Sequence, residues 1–310
     1  MFTNKQLSDE NRKQISDLLN DLWGEMVQDV AKSRNLEVAQ LNMLADELRA
    51  IQADSVAHYG LVDGLIYPDE YRKLLREKSG WPSSEEEDME KIRLVKVGKY
   101  ANMAQEEVEE QDHDAEIAVV YALGGIVDGD GDGESVGSAT FAKALQKLRK
   151  DEDVKAVVLR VNSPGGSALA SDIIWRELTL LKEEKPVVAS YGDVAASGGY
   201  YISAACDRIF AEPTTITGSI GVIGLLWNAK KFYNEELGVY FDPVQTNTYA
   251  DLGATYERLS DFERKRFQSE IDHIYTTFMT RVKDGRGFES LEEVDALGGG
   301  HVYSGKRALI

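Results

Sequence analysis

The chain has 310 residues, 43% of them hydrophobic, and a formal net charge of −19 at pH 7. That length supports one large or two moderate domains with well-buried cores. The charge argues against a nucleic-acid partner and against electrostatic docking on anionic membranes, because no basic stripe survives such an acidic excess.

Residues 8–59 read as helical, with apolar positions every three or four residues through Ile15, Leu18, Leu22, Val27 and Val30. A polar break at Ser33-Arg34-Asn35 precedes a second helical stretch, and Gly60 and Gly64 suit a helix stop. A short helix is expected over 68–78. Acidic tracts at 85–88 and 106–114 then bracket an alternating piece at 92–100, and such like-charge clustering points to a linker. The expected organisation is therefore a helical part over 1–80, an acidic linker region over 81–115 and a larger domain over 116–310.

From Ile117 the pattern changes to strand and helix in turn. Strands are expected at 117–123, 154–161, 187–191 and 208–211. Helices are expected at 139–149, at 168–182, from about Ser197, and at 260–281. Near-continuous apolar strands between amphipathic helices indicate an α/β fold with a buried parallel sheet. The helical ends also repeat. Leu22-Trp23 to Arg34 matches Ile274-Tyr275 to Arg286 at a constant offset of 252 positions (274 − 22).

Two glycine-rich turns, one after each of two successive strands, carry the chemistry. Asn162-Ser163-Pro164-Gly165-Gly166 sits where a parallel strand ends, the usual place for ligands in such sheets, and its glycines let bare backbone N–H groups face a cleft. Ala195-Ala196-Ser197-Gly198-Gly199-Tyr200 puts a serine hydroxyl at a helix N-terminus, where developing negative charge is favoured. A nucleophile and oxyanion donors are the first needs of acyl transfer.

Other motifs weigh less. The histidines His58, His113, His273 and His301 all lie far from both turns in sequence, which disfavours a Ser-His pair. Asp128-Gly129-Asp130-Gly131-Asp132-Gly133 opens like a calcium loop, but the position of the bidentate glutamate is Ala139. It reads as a solvated acidic loop, and no metal is expected. Gly298-Gly299-Gly300 lacks a phosphate-loop lysine, so no cofactor is assigned. Cys206, the one cysteine, sits in an apolar stretch and reads as a buried structural thiol. No signal peptide and no apolar run approaching a membrane span of about 18 residues is read in the sequence.

The segments Val161-Asn162-Ser163-Pro164-Gly165-Gly166-Ser167, Ala195-Ala196-Ser197-Gly198-Gly199-Tyr200-Tyr201 and Thr217-Gly218-Ser219-Ile220-Gly221-Val222, in that order, resemble the signal peptide peptidase A (protease IV) family, S49. The resemblance covers about 115–310, and the first 80 residues resemble the end of the N-terminal repeat in its long members. It implies a ClpP/crotonase-like fold of repeated ββα units with a parallel sheet, preceded by the helical tail of a first repeat. It also implies a Ser/Lys-dyad peptidase that cleaves signal-peptide remnants or similar hydrophobic peptides. Ser197 matches the nucleophile, Gly165 and Gly198 the oxyanion donors, and Ser219 the serine that orients the lysine.

The lysine itself departs from the pattern. Short members carry it downstream, where this chain has Asn247-Thr248-Tyr249-Ala250-Asp251. Long members take it from the first repeat, whose counterpart falls just upstream of Met1, and Lys5 is out of register. The resemblance further implies a homo-oligomer, tetrameric in the long members, and membrane association through an N-terminal anchor at the bacterial inner membrane facing the periplasm. Two alternatives remain: a catalytically incomplete scaffold or oligomerisation unit of the same fold, and a crotonase-type acyl-CoA enzyme.

Overall fold

The computed structural model describes residues 8–50, 53–66, 68–79, 116–243, 249 and 251–309. The linker expected over 81–115, His113, Lys5 and Ala250 lie outside them. The chain divides into two compact units, Met1–Leu22 with Ala115–Ile310, and Trp23–Asp114.

The unit Trp23–Asp114 contains the second part of helix α1 (Asp9–Arg34), from Trp23 on, then α2 (Val38–Asp46), α3 (Ala53–His58) and α4 (Pro68–Ser79). Helix α1 stops where Asn35 turns left-handed, at φ 54°, and the Leu36 N–H reaches back to the Ala31 carbonyl at 2.9 Å. That geometry satisfies end carbonyls a straight helix would leave bare. Val27, Ala31 and Leu41 form the small core, with Leu36 and Leu61 against it. Trp23 Nε1 donates to Asn42 Oδ1 at 2.7 Å, tying α1 to α2.

The other unit is the α/β body. Its strands are β1 (Glu116–Leu123), β2 (Ile126–Val127), β3 (Val136–Gly137), β4 (Val154–Ser163), β5 (Val187–Ala196), β6 (Arg208–Phe210), β7 (Ile216–Gly218) and β8 (Val302–Ser304). The main sheet runs β1-β4-β5-β7-β8, with β6 beside β5, and every pair is parallel except β7–β8. Helices α5 (Ser138–Lys150) and α6 (Ala168–Glu184) bury the core with Leu159, Val161, Ile174, Leu181 and Val187.

Coverage of the sheet differs from the expected burial on both faces. Ile117, Val119, Tyr121 and Leu123 of β1 are exposed, while Ala122 is buried. The alternation follows because the helices that cover β1 lie on one face of an edge strand. Strand β5 also runs five residues past the expected end at Tyr191. Its last three residues pair with β7, Ala196 opposite Gly218, so the ladder itself carries the chain to Ser197.

Helix α7 (Gly198–Ser203) follows, and later α8 (Asp261–Arg286), α9 (Leu291–Leu297) and α10 (Gly305–Ala308). Helices α1 and α8 each have 26 residues, so both ends keep the offset seen in sequence. Ser260 caps α8 through the Glu263 N–H as Ser8 caps α1 through the Asn11 N–H, each at 3.2 Å. Gly287, at φ 76°, ends α8 as Asn35 ends α1. Tyr275, in register with Trp23, donates to Asp295 on α9 at 2.7 Å, one position beyond the match of Asn42.

Candidate active site

Ser197 stands between β5 and α7 with φ 52° and ψ −120°. A non-glycine residue in that region costs on the order of 1–3 kcal/mol and persists only where its surroundings enforce it. Two bonds do so here: the Ser197 N–H donates to the Gly218 carbonyl at 3.0 Å, and the Ser197 carbonyl accepts from Tyr201 N–H at 2.8 Å. The hydroxyl makes no capping bond to α7. A helix-capping serine would spend its oxygen on the helix; Ser197 leaves it free toward the cleft.

The turn after β4 packs directly on this serine. Gly165 has φ 93°, and a Cβ on it would stand 2.8 Å from the Cβ of Ser197 and closer still to the Gly198 nitrogen. Gly166 is pressed against the Ile126 backbone in the same way. Only glycine fits at either place. The structure therefore brings Gly165, Ser197 and Gly198 together. One detail was not expected: the Gly165 N–H donates to the buried Ser163 hydroxyl at 3.1 Å. The N–H of Gly166 makes no hydrogen bond among the described residues, and a Cβ on Gly198 would lie 3.2 Å from that nitrogen.

Ser219 follows Gly218, the residue that holds Ser197. It too is left-handed, at φ 49°, and its N–H donates to the His301 carbonyl at 2.6 Å. A cleft of about 340 Å³ opens at Ser197 and Gly198, walled by Tyr201, Val222, Ile223, Ile274 and Phe278. Its walls are mostly apolar, with Ser167 and Ser171 also on them, and among the described residues no lysine, arginine or histidine lines it.

The elements around the cleft are tied by residues that sequence reasoning missed. Tyr201 donates to Asp172 on α6 at 2.6 Å, and Arg281 on α8 donates to the same carboxylate oxygen at 3.2 Å. Burial, then the neighbouring carboxylate, holds the Tyr201 phenol well above its usual range. Tyr201 ends the second glycine-rich segment, but Asp172 and Arg281 are far from it in sequence and belong to no motif. The only trace was that the helices carrying them flank the glycine turns.

The other candidates fall elsewhere. His273 is exposed on α8. His301 contributes its carbonyl to Ser219, while its ring Nδ1 is 2.7 Å from the Gly298 carbonyl. In the acidic loop, Asp132 accepts from Ser135 and Asp128 accepts from Ser167, which caps α6. No group of three or more metal-ligating side chains occurs among the described residues.

Comparison with known proteins adds the family. The model of peptidase family S49 matches residues 1–81 and 179–310. The chain belongs to peptidase family S49. Ser197, Gly198 and Ser219 lie within the matched residues of the S49 model, and Gly165 lies between its two segments. Protease 4 of Haemophilus influenzae is 35% identical over 99% of this chain and 50% of its own length. Protease 4 of Salmonella typhi is 34% identical over 99% of the chain and 49% of its own. The chloroplastic serine protease SPPA of Arabidopsis thaliana is 32% identical over 99% and 45%. The chain thus spans about half the length of these curated relatives. A solved ClpP1 variant from Listeria monocytogenes covers 66% of the chain and 90% of its own at 14% identity, with a TM-score of 0.41.

Proposed function

We propose that this S49 chain carries the nucleophile side of a serine peptidase site. Ser197 attacks the scissile carbonyl, and the oxyanion is held by the Gly198 N–H with the Gly165-Gly166 turn opposite. Ser219 orients a lysine base supplied by residues upstream of this chain. A neutral amine serves as base only where burial lowers its pKa, and an apolar cleft is suited to that. The observation that carries the reading is the strained Ser197, whose free hydroxyl faces two glycine turns.

The substrates proposed are cleaved signal peptides or similar hydrophobic peptides. Support comes from the family and from the apolar walls at Val222, Ile223, Ile274 and Phe278. Residues 1–80 are taken as the helical end of a first repeat, 81–115 as a linker region and 116–310 as the second repeat. A homo-oligomer, tetrameric by resemblance, and attachment to the bacterial inner membrane on its periplasmic side complete the proposal. No helix among the described residues is long and apolar enough to cross a membrane.

A serine-reactive phosphonate tests the central step. The intact protein is expected to be labelled at Ser197, and Ser197→Ala to abolish labelling. An unlabelled parent protein would sink the peptidase reading. It would favour the scaffold reading, which the lack of a basic residue among the described cleft walls also supports.

A further inference from the structure

The edge strand β8 is three residues long, yet it closes the sheet beside Ser219. Gly218 pairs with Val302, the His301 carbonyl receives the Ser219 N–H, and the Gly305 N–H donates to Thr215. A strand this short has little hold of its own. Something else must fix it if Ser219 is to keep its left-handed backbone.

That support comes from the first half of α1. Ser304, the last residue of β8, is fully buried, and its hydroxyl donates to Asp21 at 2.8 Å. Arg307 of α10 closes on the same carboxylate with two nitrogens, Nε at 2.5 Å and Nη2 at 3.2 Å, and reaches Asp17 with Nη1 at 3.2 Å. A two-pronged guanidinium–carboxylate bond fixes orientation as well as distance. The acidic pair is not part of the pattern shared by the two long helices. The positions matching Asp17 and Asp21 on α8 are Ser269 and His273, and both are exposed.

We infer that Asp21 and Arg307 are positioning residues for the Ser197 site: they fasten α1 along β8, and β8 in turn holds the turn that presents Ser219. The inference rests on the peptidase reading, in which Ser219 orients the base.

The test uses the intact protein, phosphonate labelling of Ser197 and amide hydrogen exchange. Arg307→Ala is expected to slow labelling by about tenfold or more, to expose the Ser219 and Ser304 amides to exchange, and to leave β4 and β5 protected. Arg307→Lys keeps the charge without the fork and recovers part of the rate. Unchanged labelling and unchanged Ser219 exchange in Arg307→Ala overturn the inference. So does a loss of protection spread equally through β4 and β5, which marks general destabilisation. If the parent protein is not labelled, the peptidase reading falls, and the Ser219 exchange in Arg307→Ala still decides whether the pair holds the turn.

Discussion

A Cβ placed on Gly165 would stand 2.8 Å from the Cβ of Ser197, so the two turns of the site are packed to backbone contact. Gly165→Ala therefore meets two penalties, a left-handed φ of 93° and a clash with backbone that cannot swing aside. Gly133 is a matched control: its φ is 87°, but a Cβ there meets nothing within 4 Å. Gly133→Ala is expected to cost about 1 kcal/mol in denaturant unfolding, the strain alone, and to leave labelling of Ser197 unchanged. Gly165→Ala is expected to lower the labelling rate by about 100-fold, because the donors are displaced from the serine. Labelling at the parental rate would show that the two turns need not touch.

Asp172 links Tyr201 and Arg281, and the two bonds are unequal in weight. The Arg281 and Asp172 side chains are 28% and 41% exposed, so the ion pair is screened and contributes little. Tyr201 is buried, and its phenol gives its proton to Asp172, with Arg281 as a second hydrogen-bond neighbour that can only donate. Asp172→Ala leaves that buried phenol with no acceptor for its proton and is expected to cost about 1–3 kcal/mol. Tyr201→Phe leaves Asp172 to Arg281 and water and is expected to cost about 1 kcal/mol. Adding Tyr201→Phe to Asp172→Ala should then restore stability, since no buried hydroxyl is left unpaired. Urea unfolding of the three variants checks this, and strict additivity would refute it.

How much of this was legible follows from the range of each interaction. Periodicity located α1, α5, α6 and α8 because helix burial repeats within one segment. The glycines at 165, 166 and 198 were legible because close backbone approach leaves no other residue type. The extension of β5 to Ala196 was not, since it depends on pairing with β7, whose partner residues begin at Ile216. The bare face of β1 was hidden for a similar reason: apolar residues at 117, 119 and 121 look the same whether or not a layer covers them. The Gly165 bond to Ser163 is not legible because a serine in a turn motif does not show which N–H its hydroxyl accepts from. Asp172 and Asp21 were missed because their partners lie on other elements, and Asp21 meets Arg307 from the opposite end of the chain.

The Asp21 contact gives a signed dependence on pH. Burial opposes ionisation of Asp21, but hydrogen bonds from Arg307 and Ser304 outweigh it and hold the carboxyl below its ordinary 3.8. The charged groups facing it are Arg307, Lys306 and, along α1, Asp17, which is itself held low by Lys13. The unfolded chain binds the proton more readily, so the contribution is complete above pH 3.8 and is lost as pH falls through the lower folded value. Parent protein and Asp21→Asn should differ in thermal midpoint at pH 6 and converge as the pH drops below 3.8. A difference that persists undiminished in acid would mean that Asp21 acts by shape and not by charge.

Cys206 tests the body of the fold from the inside. It is 1% exposed, and burial pushes its thiol up to about 12, with Arg286 opposing and Asp207 adding to the shift. The thiolate is the reactive form, so at pH 8 a folded chain should resist a disulfide reagent that labels the unfolded chain at once. Because the folded pKa is raised, the fold binds the proton more tightly than the unfolded chain. Its contribution is complete below the ordinary 9.0 and declines as pH rises from there toward 12. Cys206→Ser puts a less apolar group in the same place and should flatten that alkaline decline at some cost in stability at neutral pH. The rate of labelling at pH 8 then measures opening of the turn that follows α7, and a fast rate in native protein would contradict the packing of Cys206 in the main core.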